Sequence, residues 1–191
     1  MRVISGKYKG RRLKGPEGAE LRPTGDRLKG SLFNILAPCI ADAVVLDAFG
    51  GSGAIGIEAL SRGAREIVFI ENSVAGCRLI RKNLDLCGIA KGYAIMQQDI
   101  FKAMRFLARE GAAFDILFFD PPYDWNPYAD LLDIVFRKGL MSGASQTIIE
   151  HRRGALLPET GETYRRVRLL RQGDHCLSFY RPSDNPDRGP E

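Results

Sequence analysis

The sequence predicts an α/β domain with a mostly parallel sheet, and two observations support this prediction. Five short apolar runs recur between residues 43 and 149, as expected for strands that are buried on both faces. Apolar residues at helical spacing lie between these runs, so strand and helix alternate every ~20–30 residues. This alternation indicates βαβ units with parallel strands and right-handed crossovers. A length of 191 residues suits one such domain.

The predicted strands and helices follow in chain order. The five runs are residues 43–46, 67–70, 94–96, 116–119 and 147–149, and helical spacings cover residues 74–87, 101–107 and 131–136. Two further strands, residues 164–170 and 176–181, are joined by residues 171–175 and predict an antiparallel hairpin. The whole is a seven-stranded sheet closed by this C-terminal hairpin.

The two ends of the chain predict additions to this domain. Residues 2–13 alternate around glycines and indicate a short β-hairpin. Thr24 suits the N-cap of a helix that runs to about residue 37, where Pro38 ends it. We therefore predict an N-terminal extension (residues 1–40), a main domain (41–181) and a disordered tail (182–191), which has no apolar anchor.

Composition and the lengths of the apolar runs limit the classes of protein to which the chain can belong. No apolar run reaches the ~18–20 residues that span a bilayer, and the N-terminus turns basic before a signal peptide could form. We expect a cytoplasmic, monomeric protein. Four cysteines, none in a C-x-x-C pair, are expected to be buried apolar residues rather than metal ligands. A nucleophilic Cys–His pair stays open, although no pattern supports one.

Positive charge is concentrated at the N-terminus. The net charge is +5, yet residues 1–30 contain nine Lys or Arg against three acidic residues. Such a basic arm favours a polyanionic partner, and Tyr8 lies among the charges. The candidate RNA-binding residues here are Lys7, Lys9, Arg11 and Arg12. A merely solvated terminus is the alternative, and a rival basic region lies at residues 152–171.

Glycines follow the first predicted strand. Gly51, Gly53 and Gly56 fit a dinucleotide-binding fingerprint, with Glu71 twenty residues after Gly51 at the end of the second strand. Glu71 would accept hydrogen bonds from ribose hydroxyls. Asp47, just before the glycines, would repel a pyrophosphate but suits a cationic ligand such as S-adenosylmethionine. Asp99 could bind the adenine amino group or, equally, cap the next helix.

Asp120-Pro121-Pro122-Tyr123 follows the fourth predicted strand. Because proline fixes φ and lacks an N–H, this loop should be stiff and should present a carboxylate and the Pro121 carbonyl together. Two acceptors at one point suit an exocyclic amine, whose lone pair is then directed at an electrophile. Tyr123 could stack on the base. The alternative is an ordinary proline-rich turn.

These motifs together resemble a known family. Asp-x-Phe-x-Gly-Ser-Gly followed by Asp-Pro-Pro-Tyr is similar to class I S-adenosylmethionine-dependent amino-methyltransferases, which have a Rossmann-like fold. Further segments, namely residues 21–24, 26–27, 32–34 and 56–64, resemble the RsmD family, which methylates guanine N2 in 16S ribosomal RNA of the small subunit. The resemblance spans about residues 2–181.

The resemblance implies specific roles and a strand order of 3-2-1-4-5-7-6. It implies that the amino-acid and sulfonium part of S-adenosylmethionine contacts Asp47, Phe49, Gly50, Gly51, Ser52 and Gly53. It assigns the ribose to Glu71 with Asn72, and the adenine to Asp99 with Ile100. The four residues 120–123 would be catalytic, without a metal. Arg22, Thr24 and Arg27 would bind RNA, with Arg22 and Arg27 at the mouth of the site.

Three departures and three alternatives accompany the resemblance. Gly25 and Gly30 replace the usual Thr and Glu, and Gly30 inside a helix should cost ~1 kcal/mol relative to Ala. Gly50 for Ala is a mild change. The alternatives are methylation of adenine N6 or cytosine N4, an NAD(P)-dependent oxidoreductase, and a non-catalytic RNA-binding assembly factor.

Overall fold

A computed structural model describes residues 1–16, 24–122 and 124–183 of the chain. The elements are α1 (Thr24–Leu36), β1 (Val44–Ala48), α2 (Ala54–Ser61), β2 (Glu66–Glu71), α3 (Val74–Cys87), β3 (Tyr93–Gln97), α4 (Ile100–Arg109), β4 (Phe114–Phe119), α5 (Tyr128–Arg137), β5 (Met141–Arg152), β6 (Tyr164–Gln172) and β7 (His175–Pro182). Each strand and helix predicted after residue 23 therefore has a counterpart.

The strands form one seven-stranded sheet in the order β3-β2-β1-β4-β5-β7-β6, as the resemblance implies. Strands β1 to β5 pair in parallel, while β7 is antiparallel to both β5 and β6. The predicted C-terminal hairpin is confirmed, with a turn tighter than expected because β6 and β7 pair up to Gln172 and His175. Only Gly173 and Asp174 remain between them, and Gly173 has the positive φ that such a turn needs.

One predicted hairpin and two predicted strand boundaries differ from the structure. The N-terminal hairpin reduces to a single antiparallel bridge between Arg2 and Arg12, because the intervening backbone bonds to helix α2 instead of forming a ladder. Strand β5 begins at Met141, six residues before the predicted run at 147–149, since Met141 pairs with Phe114 across a bulge. β7 also extends to Pro182, so only residues 184–191 of the predicted tail lie outside the described residues.

The core consists of two apolar layers, one on each face of the sheet. One layer includes Val45 and Phe118 from the sheet, and Val3, Leu13 and Leu28 from the N-terminal segment pack into it. Residues 1–16 and α1 are therefore anchored on the same apolar face as α2 and α3. Cys77, Cys87 and Cys176 are buried free thiols, as predicted, and Cys39 is half-buried. No helix among the described residues is long and apolar enough to cross a membrane.

Candidate active site

The sheet register brings the ends of four strands into one row. Ala48 pairs with both Ile70 and Phe119, and Phe119 pairs with Ile149. The next residue of each strand therefore lies at the carboxyl edge of the sheet, and these residues are Phe49, Glu71, Asp120 and Glu150. Ligands of open α/β sheets bind at this edge.

A cavity of roughly 600 Å³ opens at this edge, a size that suits a nucleoside-sized ligand. Its walls are formed by Phe49, Ile70, Glu71, Asn72, Gln98, Asp99, Ile100, Asp120, Pro121, Pro122, Trp125, Glu150 and His175. Eight of these thirteen are residues that the sequence analysis assigned to the cofactor or to catalysis. Tyr123, the fourth predicted catalytic residue, lies outside the described residues.

Of the predicted residues of the glycine loop, Phe49 lines the cavity, and the others are not among its lining residues. Asp47 is buried, and its Oδ2 accepts a hydrogen bond from the Gly56 N–H at 2.8 Å. Gly53 has φ +73° at the start of α2, where an L side chain would be strained. Gly50, Gly51 and Ser52 complete the loop between β1 and this helix. The loop forms the turn from β1 into α2, and its cofactor role stays a prediction.

Phe49 is the strained residue of the loop. It has φ +62°, which is unusual for a residue other than glycine. Its ring contacts the Trp125 indole edge-on, with 5.5 Å between centroids. Strain of this kind persists only where the surrounding packing holds it, and it clusters at binding sites.

Three hydrogen bonds fix the Glu71 carboxylate. Its Oε2 accepts from the Gly51 N–H at 3.0 Å, and its Oε1 accepts from the Ser73 N–H and hydroxyl, both at 2.8 Å. The loop therefore orients the residue predicted to bind ribose.

The structure shows the capping role of Asp99 and leaves the adenine role open. Its side chain caps α4 by accepting from the Lys102 N–H at 3.1 Å, as the structural alternative predicts. It is also exposed and lines the cavity, so the adenine role is compatible with the capping bond.

Trp125 holds the loop that follows Asp120. The sequence patterns did not identify this residue. Its backbone N–H donates to the Pro122 carbonyl at 2.9 Å. Its ring stacks with Phe101 at 6.0 Å between centroids and meets Tyr128 edge-on at 5.0 Å. The loop is thus held by an aromatic cluster, which a tryptophan three residues after the two prolines could have signalled.

Glu150 and His175 were also missed. Glu150 Oε1 lies 3.0 Å from His175 Nδ1, and both side chains line the cavity. Glu150 directly follows the predicted strand 147–149, so the rule that identified Asp120 and Glu71 would have found it. His175 carries no such signal, because only the β5–β7 register brings it near.

Acidic groups dominate the electrostatics of this edge. Burial raises the pKa of Asp47 to about 7; the Gly56 hydrogen bond lowers it, and the charges of Asp120 and Glu71 raise it further. Asp120 is open to the cavity, yet protein surrounds its carboxyl on the other sides and raises its pKa. The Glu150 charge adds to this rise and His175 opposes it. Such a site favours cations and hydrogen-bond donors.

Most of the predicted RNA-binding side chains are exposed. Lys7, Lys9, Arg11, Arg12 and Arg27 all lie on the surface. Arg22 and the side chain of Thr24 lie outside the described residues, while Thr24 is the first residue of α1.

Comparisons with known proteins agree over most of the chain. The family described as "Conserved hypothetical protein 95" matches residues 1–181. Ribosomal RNA small subunit methyltransferase D of Escherichia coli (strain K12) is 37% identical over 150 residues, 78% of this chain and 74% of that protein. The Bacillus subtilis (strain 168) protein YlbH is 36% identical over 160 residues, 84% of this chain and 87% of that protein. The solved structure of Escherichia coli yhhF gives a TM-score of 0.78 at 33% identity, covering 94% of this chain and 96% of that one.

Proposed function

Because the chain belongs to the family described as "Conserved hypothetical protein 95", the RsmD family, we propose that it methylates ribosomal RNA of the small subunit with S-adenosylmethionine. We further propose that the acceptor is the exocyclic N2 amine of a guanine. The observation that carries this proposal is Asp120, followed by two prolines, in the wall of a cavity shared with Glu71.

The size and the acidic character of the cavity support S-adenosylmethionine as its ligand. Its wall offers an oriented carboxylate for ribose hydroxyls at Glu71 and an apolar surface for a purine at Ile70 and Ile100. The surplus of carboxylates suits a sulfonium cation and opposes the pyrophosphate of NAD(P). When bound, S-adenosylmethionine supplies an electrophilic methyl group.

The residues of the chain then act on the acceptor amine. Asp120 and the Pro121 carbonyl accept its two hydrogens and leave the nitrogen lone pair free to attack the methyl carbon. The transfer would form the N–C bond, and the C–S bond electrons would stay with the sulfur of S-adenosylmethionine. The nitrogen then loses a proton, for which the raised pKa of Asp120 makes this carboxylate a suitable acceptor. The target base must be unpaired or flipped out to reach the cavity.

We propose that the exposed basic side chains of residues 7–12, with Arg27, bind the RNA backbone. Helix α1, which carries Arg27, lies beside the β6–β7 turn, since Ser31 Oγ donates to Gln172 Oε1 at 3.3 Å. Gln172 in turn pairs with His175, a residue of the cavity wall. This position supports the prediction that α1 borders the mouth of the site.

Incorporation of labelled methyl groups into unmethylated small ribosomal subunits tests the proposal. We expect transfer to one guanosine, identified as N2-methylguanosine by mass spectrometry of digested rRNA. Methylation of adenine N6 or cytosine N4 instead would reject the guanine part of the proposal. No transfer to any RNA would leave the non-catalytic assembly factor as the better account.

Isothermal titration separates the proposal from the oxidoreductase alternative. S-adenosylhomocysteine should bind, whereas NAD and NADP should not; the reverse result would favour the oxidoreductase. An rRNA substrate agrees with the cytoplasmic location that the sequence predicts. A monomer remains the prediction for the assembly state, which analytical ultracentrifugation would test.

A further inference from the structure

Glu150 and His175 lie in the cavity wall, and the proposed function gives neither a role. Glu150 Oε1 lies 3.0 Å from His175 Nδ1, and the two side chains are 17% and 21% exposed. They are therefore partly buried and still reachable from the cavity. Burial raises the pKa of Glu150 to about 7. The surroundings of Glu150 therefore do not fully offset the cost of burying its charge.

The register places Glu150 next to Asp120. Phe119 and Ile149 are partners in adjacent parallel strands, and Asp120 and Glu150 each follow by one residue. Neighbouring strands lie about 4.8 Å apart, so the two carboxyls occupy adjacent positions at the edge of the sheet. The electrostatic effect of Glu150 on Asp120 agrees with this proximity.

The antiparallel register fixes the contact between Glu150 and His175. Arg152 pairs with His175, and Glu150 pairs with Leu177. Residues two apart on a strand point to the same face, so Glu150 and His175 are diagonal neighbours on one face. A ring N–H from His175 would hold the carboxylate as a hydrogen-bond acceptor.

The edges of the bases differ at the atom beside the amine. In guanine the N2 amine lies between N1–H, a donor, and N3, an acceptor, whereas the amines of adenine and cytosine adjoin a ring nitrogen that accepts and no ring N–H. An ionised carboxylate only accepts hydrogen bonds. A second carboxylate beside the amine-binding Asp120 therefore complements guanine and opposes the other two bases.

We infer that Glu150, oriented by His175, forms a base-recognition subsite that accepts the N1–H of the target guanine. Asp120 and Glu150 then bind the amine and the ring N–H of one base edge. His175 is a positioning residue that acts through Glu150. This inference rests on the proposed methylation of guanine N2 and explains which base that activity selects.

An analogue of the acceptor tests the subsite. The target guanosine, once located, is replaced in reconstituted subunits by 2-aminopurine riboside, which keeps the 2-amine but has an acceptor at N1. We expect wild-type kcat/KM to fall about 100-fold with the analogue, because a buried acceptor then faces another acceptor. Equal rates on both substrates would overturn the inference while the proposed function stands.

Variants of Glu150 and His175 test whether these residues cause the preference for guanosine over the analogue. Glu150→Ala should lower kcat/KM for guanosine about 100-fold but leave the analogue nearly unchanged, so that the preference shrinks to within threefold. Glu150→Gln, which keeps a carbonyl acceptor, and His175→Ala should give intermediate preferences. Glu162→Ala, in an exposed ion pair with Arg137, is the matched control and should retain the full preference.

Affinity for S-adenosylhomocysteine should stay unchanged in all variants, which separates recognition of the base from general damage. A Glu150→Ala variant that keeps the wild-type preference would overturn the inference. Failure of the wild type to methylate any guanosine would instead overturn the proposed function, and the inference with it.

Discussion

Two buried carboxylates have opposite surroundings: Glu58 belongs to helix α2, and Asp47 is hydrogen-bonded to that helix. Glu58 is fully buried and faces the N-terminal segment, where it accepts from the Ile4 and Ser5 N–H groups at 2.7 and 3.0 Å. Lys29 and Arg62 lie 3.4 and 2.8 Å from its oxygens. Asp47, 3% exposed, accepts one bond from the Gly56 N–H. The charges that act on it include two further carboxylates, Asp120 and Glu71.

The difference distinguishes a carboxylate whose charge is balanced within the fold from one that we propose to serve the cofactor. The charge of Glu58 is balanced by two cations, so its removal should damage the fold. The charge of Asp47 is one of several acids at the carboxyl edge of the sheet, where a cationic ligand would compensate them. We therefore expect the charge of Glu58 to matter for the stability of the fold and the charge of Asp47 to matter for ligand binding.

The largest expected effect on stability is at Glu58. Glu58→Ala leaves the Lys29 ammonium buried without its partner carboxylate and two backbone N–H groups without an acceptor, so the free energy of unfolding should fall by about 3–5 kcal/mol. Urea denaturation measures this change. Glu159→Ala, which removes an exposed partner of Arg166, should cost no more than about 1 kcal/mol. Similar losses in both variants would contradict the comparison.

The pH dependence of stability should reveal Asp47. Because its pKa is raised to about 7 in the fold, the stability linked to its protonated form is full below about pH 4 and is lost as the pH rises through 7. Between pH 4 and pH 8, the stability of wild type relative to Asp47→Asn should fall by up to about 4 kcal/mol. Parallel pH profiles of stability for the two proteins would show that the charge of Asp47 is balanced within the fold.

The basic arm should affect RNA binding and not cofactor binding. Replacing Arg11 and Arg12 by Ala should weaken binding to small subunits and flatten the slope of log affinity against log salt by about one to two units. Affinity for S-adenosylhomocysteine should not change. If the salt dependence persists even after deletion of residues 1–14, the arm is only a solvated terminus, and the basic region at residues 152–171 becomes the better candidate.

The smallest expected effects concern two glycines within helices, Gly30 and Gly56. A Cβ at Gly30 in α1 would meet no atom within 4 Å, so Gly30→Ala should raise the free energy of unfolding by about 1 kcal/mol. At Gly56 in α2 a Cβ would lie 2.3 Å from the Phe69 ring, so Gly56→Ala should destabilise the fold. Thermal melts of both variants test this contrast, and stabilisation by Gly56→Ala would refute it.

The sequence predicted the sheet well because buried parallel strands leave continuous apolar runs such as 67–70 and 116–119. It predicted Asp120 and Glu71 because polar residues directly follow such runs. It missed His175 because the contact with Glu150 depends on an antiparallel register that no local pattern encodes. It misjudged residues 2–13 because their backbone bonds to Glu58 and Ser61, which lie more than fifty residues away.

The central claim is that Asp120 acts on the acceptor amine and not on the cofactor. The direct test measures methyl transfer to small subunits and S-adenosylhomocysteine affinity for Asp120→Ala, with Asp124→Ala in the same loop as the matched control. The account predicts that Asp120→Ala lowers transfer by roughly a thousandfold while cofactor affinity stays within a few-fold of wild type. Loss of cofactor affinity in step with transfer would contradict it.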